Sequence, residues 1–325
     1  MGAAREIGDA VRTWLDGLDE SQRAQATFSF ATPERFVWAY TPGRREGLAI
    51  RDMREEQRSA AMAVLSSALS SRTAGEIAAI MALETVLGRL EQAAGRGGWL
   101  RRDPELYWFA VFGSPADGTW SWRVGGHHVA VHVAIDGERV IGTTPSFLGA
   151  NPAVVPGGPN AGARTLTGEE LLARALMAAL APAERSAAVV EDRAPADILT
   201  GTGRQAEVRG VPAGVRHADL GRSRQELLER LIRHYIERAR PEVAEPLWER
   251  LQRGIGDVTF AWAGSDVPGN GHYYAIRGGR LVIEYDNTQN GANHIHSVFR
   301  DLEDDWGGDA LGTHLATQHA TPGPA

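Results

Sequence analysis

The sequence predicts an α+β fold in which an antiparallel, hairpin-linked sheet packs against helices and the N-terminal third is α-rich. Helical periodicity dominates the first hundred residues, whereas short alternating segments typical of strands follow from residue 107 onwards. Glycine-containing dipeptides between these segments indicate tight hairpins, which join only antiparallel strands. We expect the 325 residues to form one module, 1–325. The alternative division is a helical region over residues 1–100 and a mixed region over residues 101–325 that carries the histidine site.

Apolar residues spaced three and four apart define the predicted helices. The first covers residues 1–18, where Ile7, Val11 and Trp14 share one face. Thr167, with Glu170 three residues later, has the pattern of a helix start. The remaining helices are predicted as two within residues 55–94 and one each over residues 223–238, 241–253 and 309–318.

The predicted strands are short aromatic or β-branched segments. Two of the hairpins that join these strands are expected to turn at Asp136–Gly137 and at Gly278–Gly279. The segment 144–164 is rich in proline and glycine and is predicted to be an irregular surface loop. The strands are expected over residues 107–112, 120–124, 128–135, 139–143, 258–262, 272–277, 280–286 and 294–299.

The absence of two residue types excludes several kinds of functional site. The chain has no cysteine, which excludes disulfides, iron–sulfur clusters, thiolate nucleophiles and cysteine-ligated zinc. It also has no lysine, since all 34 basic residues are arginine. A Walker phosphate loop, a Schiff-base enzyme, a protein kinase and a Ser–Lys hydrolase each need a lysine and are therefore excluded.

Composition also limits the partners. The net charge of −7 and the lack of a basic patch argue against nucleic acid. The N-terminal helix lacks the apolar run of a signal peptide, and no stretch approaches 18 apolar residues, which argues against a membrane. We therefore expect a cytoplasmic protein that binds a small molecule, and the sequence leaves its oligomeric state open.

Six of the ten histidines fall into two short segments on predicted strands or at their ends. The sharpest pattern is His294-Ile295-His296, because residues two apart on a strand share a face about 6.6 Å apart. Two imidazoles at that separation can converge on one metal ion. Arg300 continues the same face and is a candidate for orienting an anionic substrate group. A polar sheet face, with Arg300 paired to a nearby aspartate, is the structural alternative.

The second histidine segment contains His127, His128 and His132. Neighbours on a strand point to opposite sides, so only one of His127 and His128 is expected to share a site with His294 and His296. His132 lies four strand steps from His128, about 13 Å away, which is too far for one ion. An exposed strand position is the alternative for His132.

The predicted hairpin 272–286 adds further candidates. Alternation places Glu284 and Asp286 on one face and His272 on the other. Glu284 is a candidate fourth ligand or general base, and pairing with nearby arginines is its structural alternative. His272 stands at the strand start, where it is either a ligand or a half-buried core histidine.

Several of these segments together resemble the domain-of-unknown-function 3500 family over roughly Trp14 to His319. The resemblance implies a single-module, soluble bacterial protein without an established activity. It also implies that His132 stands where the family usually has asparagine, and that Arg300, Glu284 and His272 belong to one site with the histidine pairs. The segments that carry it are Gly126-His127-His128, residues 144–153, His272-Tyr273-Tyr274-Ala275-Ile276, residues 283–290 and residues 293–301.

The sequence thus favours a metal-dependent enzyme, hydrolytic or oxidative, acting on a small and anionic polar substrate. His294 and His296 would be ligands, and His127 or His128 would supply a third from a neighbouring sheet. Nitrogen ligands suit Zn, Cu, Fe or Mn, and the sequence does not choose among them. The alternatives are a non-catalytic protein that binds a metal or a small polar ligand, and a metal-free His/Glu acid–base enzyme.

Overall fold

The computed structural model describes residues 2–96 and 102–308, and within them one 13-stranded sheet runs through the molecule. The main strand order is β1-β3-β4-β5-β7-β13-β12-β11-β10-β8, with β2, β6 and β9 paired at the side of β3, β5 and β10. The strands are β1 (Thr27–Phe28), β2 (Leu48–Ala49), β3 (Tyr107–Phe112), β4 (Thr119–Gly126), β5 (Val129–Asp136), β6 (Arg139–Gly142), β7 (Ser146–Ala150), β8 (Val189–Glu191), β9 (Val215–Arg216), β10 (Thr259–Gly264), β11 (His272–Gly278), β12 (Leu281–Asn287) and β13 (Ile295–Asp301).

The described residues also form eight right-handed α-helices, four of them before β3. Together with the sheet they confirm the predicted α+β class and its α-rich N-terminal third. The predicted helix 309–318 lies outside the described residues. The helices are α1 (Ala3–Asp16), α2 (Glu20–Ala26), α3 (Glu55–Ala68), α4 (Ser71–Ala93), α5 (Thr167–Ala179), α6 (Pro182–Ala188), α7 (Arg222–Ile236) and α8 (Pro241–Gln252).

The sheet is mostly antiparallel, as predicted, but β1 pairs parallel with β3 and β8 pairs parallel with β10. The hairpin turn expected at Gly278–Gly279 is one residue later, because Gly278 pairs directly with Leu281. That displacement moves the register by two residues. Each side chain of β11 and β12 therefore keeps the face that alternation predicts.

The main correction concerns residues 144–164, for which the composition predicts an irregular loop. Ser146–Ala150 instead forms β7, a fully buried strand between β5 and β13. Its short length and the prolines on both sides conceal the strand pattern, since proline and glycine usually mark loops. β7 joins the two histidine-bearing regions of the chain into one sheet, so the third histidine does not come from a separate sheet.

The two faces of the sheet are covered differently. One face packs against the helices and forms the main core, in which Trp14, Leu65, Leu231 and Ile283 are buried. The other face carries a smaller cluster covered by irregular segments, whose members are Trp38, Tyr40, Ala130, Phe147, Ile198, Val298 and Trp306. The candidate site lies on this second face, at the end of the strands where β5, β7 and β13 meet.

Candidate metal centre

His128 occupies a two-residue turn rather than the strand predicted from residue 128. Gly126 pairs with Val129, which leaves His127 and His128 as the turn between β4 and β5. His128 has φ of 63°, a left-handed conformation that is uncommon for residues other than glycine. Its backbone N–H donates to Tyr40 O at 2.9 Å. The turn therefore aims the His128 ring along the end of β7.

Gly149 of β7 makes room for that ring. A Cβ atom at this position would lie 2.9 Å from two atoms of the His128 imidazole and 2.8 Å from Ile295 O. Gly149 N also donates to His128 O at 2.8 Å. Since any side chain would displace the ring, Gly149 and His128 form one structural unit.

His294 and His296 reach the site from the start of β13. His296 pairs with Gly149, which brings β13 next to the His128 turn through β7. Three consecutive residues before this strand, Asn290, Gly291 and Ala292, have φ values of 52°, 68° and 58°. A left-handed alanine is strained, and strain of this kind concentrates at functional sites.

The three imidazoles converge at this point. His128 Nε2 lies 2.9 Å from His294 Nε2 and 3.3 Å from His296 Nε2. One nitrogen from each ring lies within 4.8 Å of the other two. Metal–nitrogen bonds of about 2.1 Å at octahedral to tetrahedral angles place ligand nitrogens about 3.0–3.4 Å apart. The cluster therefore has nearly the spacing that a transition metal requires.

Burial favours the neutral form of two of these rings, His294 and His128. It lowers the pKa of His294 to about 3, with a further contribution from His296 and His127. It lowers the pKa of His128 well below the usual histidine value, and the neighbouring histidines act in the same direction. A neutral imidazole is the form that binds a metal, so at neutral pH no proton has to be removed first.

Asp197 fixes the orientation of His296. Its Oδ1 accepts a hydrogen bond from His296 Nδ1 at 2.6 Å, which leaves Nε2 of that ring free to face the cluster. Burial alone would raise the pKa of Asp197, but the hydrogen bond from His296 holds it below its usual value. Tyr40 OH donates to the other carboxylate oxygen at 3.4 Å. A carboxylate behind a metal-binding histidine is a common arrangement in metal sites.

His127 lies beside the cluster but does not join it. Its ring stacks on that of His128 with 3.8 Å between the centroids, while its Nδ1 contacts the Glu84 carboxylate of α4. Arg102 lies 3.2 Å from the same nitrogen. Of the two adjacent histidines, the structure thus brings only His128 into the group.

The chain matches a known protein family along nearly its whole length. A model for a family described as a protein of unknown function, DUF3500, matches residues 2–308. The chain belongs to the DUF3500 family. The match confirms the resemblance and covers all three clustered histidines. Neither a curated protein nor a solved structure matches the chain.

In this DUF3500 protein the carboxylate of Glu284 binds the backbone of a neighbouring loop. Its carboxylate accepts hydrogen bonds from Leu199 N at 2.6 Å, Thr200 N at 2.9 Å and Tyr273 OH at 2.6 Å. Glu284 is buried and lies outside the histidine group. Its contacts fix the segment that carries Asp197, so it acts on the site through that segment.

The guanidinium of Arg300 also binds other groups of the protein. It is fully buried and donates to Asp305 at 2.7 Å, to Gly203 O at 3.0 Å and to Arg204 O at 2.7 Å. These contacts correspond to the structural alternative in which an aspartate fixes the chain after the strand. Each of the three guanidinium nitrogens therefore donates to an acceptor of the protein itself.

His272 and His132 lie apart from the group. His272 faces the helices, where its ring stacks on Trp262 at 5.1 Å. His132 is only 4% exposed and its ring lies edge-on to Trp306, 4.3 Å away, so the expectation of an exposed strand position for His132 is wrong. Its place on β5 agrees with the predicted strand, but this face of the sheet is covered by irregular segments that periodicity does not reveal.

Sequence reasoning alone misses Asp197 and Gly149. Asp197 stands in a segment without strand or helix periodicity, and Gly149 lies in β7, where the composition predicts a loop. The only signal for Gly149 is its place in a segment that resembles the family. Among the described helices, none combines the length and apolar character needed to cross a membrane.

Proposed function

We propose that this DUF3500 protein is a metal-dependent enzyme acting on a small, anionic polar substrate. The observation that carries the proposal is the convergence of three imidazole nitrogens, from His128, His294 and His296. Asp197 supports it, because the aspartate selects the tautomer of His296 that can bind a metal.

The ligand set indicates the class of metal. Three neutral nitrogen donors without sulfur suit Zn, Cu, Fe or Mn rather than Mg or Ca, which prefer oxygen ligands. Because neutral ligands leave the full charge on the ion, the bound metal would supply strong Lewis-acid chemistry. Held by His128, His294 and His296, it would serve to activate water or to polarise a substrate oxygen at neutral pH.

The number of ligands favours catalysis over a structural role. Structural zinc sites are closed by four protein ligands, whereas catalytic sites have three and keep a position open. In residues 2–96 and 102–308, no fourth histidine or carboxylate belongs to the group. His294 is only partly buried, so a small molecule can approach from its side.

Elemental analysis of protein purified without an affinity tag tests the proposal. After incubation with Zn²⁺, Cu²⁺, Fe²⁺ or Mn²⁺ and removal of excess ion, we expect close to one equivalent of one of these metals. His294→Ala should lose it, because two imidazoles bind far more weakly than three. His132→Asn is the matched control: this buried histidine outside the group should leave metal content per folded molecule unchanged.

Two results would contradict the proposal. The first is less than about a tenth of an equivalent of every metal in the wild-type protein, even after reconstitution. The second is equal metal loss in the His132 and His294 variants, which would place the ion elsewhere.

A further inference from the structure

A cavity of about 550 Å³ is lined in part by His127, the neighbour of the clustered His128. Its volume falls within the range usual for small-molecule sites. The residues that matter for its chemistry are Arg44, Arg51, Trp108, Gln25, Glu84 and His127. The His127 ring stacks on the ring of His128, so a residue of the cavity lining directly contacts a candidate metal ligand.

The segment 39–47 connects the two. At one end, Tyr40 O accepts from His128 N at 2.9 Å and Tyr40 OH donates to Asp197. At the other end, Gly43, Arg44 and Gly47 line the cavity. One short stretch of backbone therefore positions both the histidine turn and the cavity rim.

Two neighbouring arginines in this segment have different environments. Arg45 donates to Gly43 O at 3.0 Å, Arg44 O at 3.2 Å and Ala39 O at 3.2 Å, and it also contacts Thr41 O. Its guanidinium thereby fixes the loop in one shape. Arg44 is exposed at the cavity, and its guanidinium has no hydrogen bond or ion pair with the residues that the structure describes. Arg51, the other lining cation, is already paired with Asp103.

The rest of the lining restricts the kind of anion. Trp108 and Leu106 offer apolar surface, and Gln25 offers an amide. Asp52 and Glu84 place two carboxyl groups in the same lining, which disfavours ligands with several negative charges. A planar guanidinium matches a carboxylate through two parallel hydrogen bonds.

We propose that this cavity binds a small organic monocarboxylate, with the carboxylate on Arg44 and the apolar body against Trp108. The inference rests on the proposed function in one respect, namely that the bound acid lies next to a metal centre. It gives Arg44 the role of anion recognition for which the sequence pattern makes Arg300 a candidate. The binding itself does not require the metal.

Calorimetric titration with sodium benzoate tests the cavity, first on metal-free protein. We expect benzoate to bind, and its neutral counterpart benzyl alcohol to bind at least tenfold more weakly. Arg44→Gln should weaken benzoate binding about tenfold or more, because a charge-assisted hydrogen-bond pair is lost. Arg253→Gln is the matched control: it removes an exposed arginine beyond α8 and should change the affinity less than twofold.

A second titration uses protein loaded with Co²⁺. Benzoate protons should relax faster with the loaded wild type than with His294→Ala treated in the same way, because the ion and the ligand are close. Absence of benzoate binding, or equal binding by wild type and Arg44→Gln, would overturn the inference. Arg44-dependent benzoate binding by a protein that takes up no metal would contradict the proposed metal centre and leave the carboxylate site standing.

Discussion

His296 uses its two ring nitrogens for different purposes. Nδ1 donates to Asp197, and Nε2 faces His128 at 3.3 Å. Without the aspartate, the ring could bind a proton on either nitrogen and rotate, so fewer molecules would present Nε2 to a metal. Asp197 is therefore a positioning residue for the candidate centre.

We expect Asp197→Ala to lower metal affinity about 10- to 100-fold, the usual effect of removing a carboxylate behind a histidine ligand. Competition with a chelator of known affinity measures this change. Asp219→Ala, at an exposed ion pair with Arg216, is the control and should have wild-type affinity. Equal affinities in all three proteins would contradict the role of Asp197.

For Arg300 we expect a loss of stability without loss of metal. Replacing it by alanine leaves the largely buried Asp305 without its charged partner, and breaking a buried pair typically costs about 3–5 kcal/mol. Arg300→Lys should recover part of this, because an ammonium cannot contact Asp305 and two carbonyls in the same planar geometry. Urea unfolding and metal analysis on one preparation check both effects. A stable alanine variant with impaired ligand binding would instead support a substrate-binding role.

Strand β7 determines whether the candidate centre can form. The sequence pattern locates His294 and His296, because a spacing of two residues on a strand is a local property. It narrows the third histidine to His127 or His128 without choosing between them. It does not reveal β7, the short strand between prolines that pairs with β13 and brings the histidine turn next to it. Long-range pairing of this kind leaves no periodic signal in one sequence.

We expect Gly149→Ala to disturb the centre more than an ordinary surface substitution does. The added Cβ would meet the His128 ring and Ile295 O at distances that real Cβ atoms do not adopt. The His128 ring must therefore shift, and metal affinity should fall at least tenfold together with some loss of stability. Gly157→Ala is the matched control in open space. Chelator competition and thermal unfolding measure the two effects, and wild-type metal affinity in Gly149→Ala would contradict this packing argument.

For the whole molecule, burial of ionisable groups makes stability depend on pH. The pKa of His294 is about 3 in the folded protein, against about 6.5 for an unfolded chain. Between these values the unfolded chain binds more protons, so the stability of metal-free protein falls as pH falls through 6.5. Buried Asp286, with its pKa raised to about 7, acts in the opposite direction. Its contribution to the stability of the folded protein is lost as pH rises above the usual aspartate pKa.

We expect the contribution of His294 to this pH dependence to appear as a difference between the wild type and a His294 variant. Going from pH 7 to pH 5 costs about 2 kcal/mol for a histidine with the shift of His294. His294→Gln, without metal, should therefore lose about 2 kcal/mol less than the wild type over this interval. Urea unfolding at both pH values, with chelator present, gives the comparison. Identical losses in the two proteins would show that His294 is not protonated on unfolding.

The position of β7 also bears on how the chain reaches its final state. His128 and His294 are 166 residues apart, and β7 separates their strands in the sheet order. The three ligands come from both sides of β7, so they can meet only after β5, β7 and β13 have paired. This pairing is a late event in folding, because the intervening loop must close first. A metal ion bound by these ligands would hold β5, β7 and β13 together and slow their separation. Uptake of the ion during refolding would thus report completed assembly of the sheet.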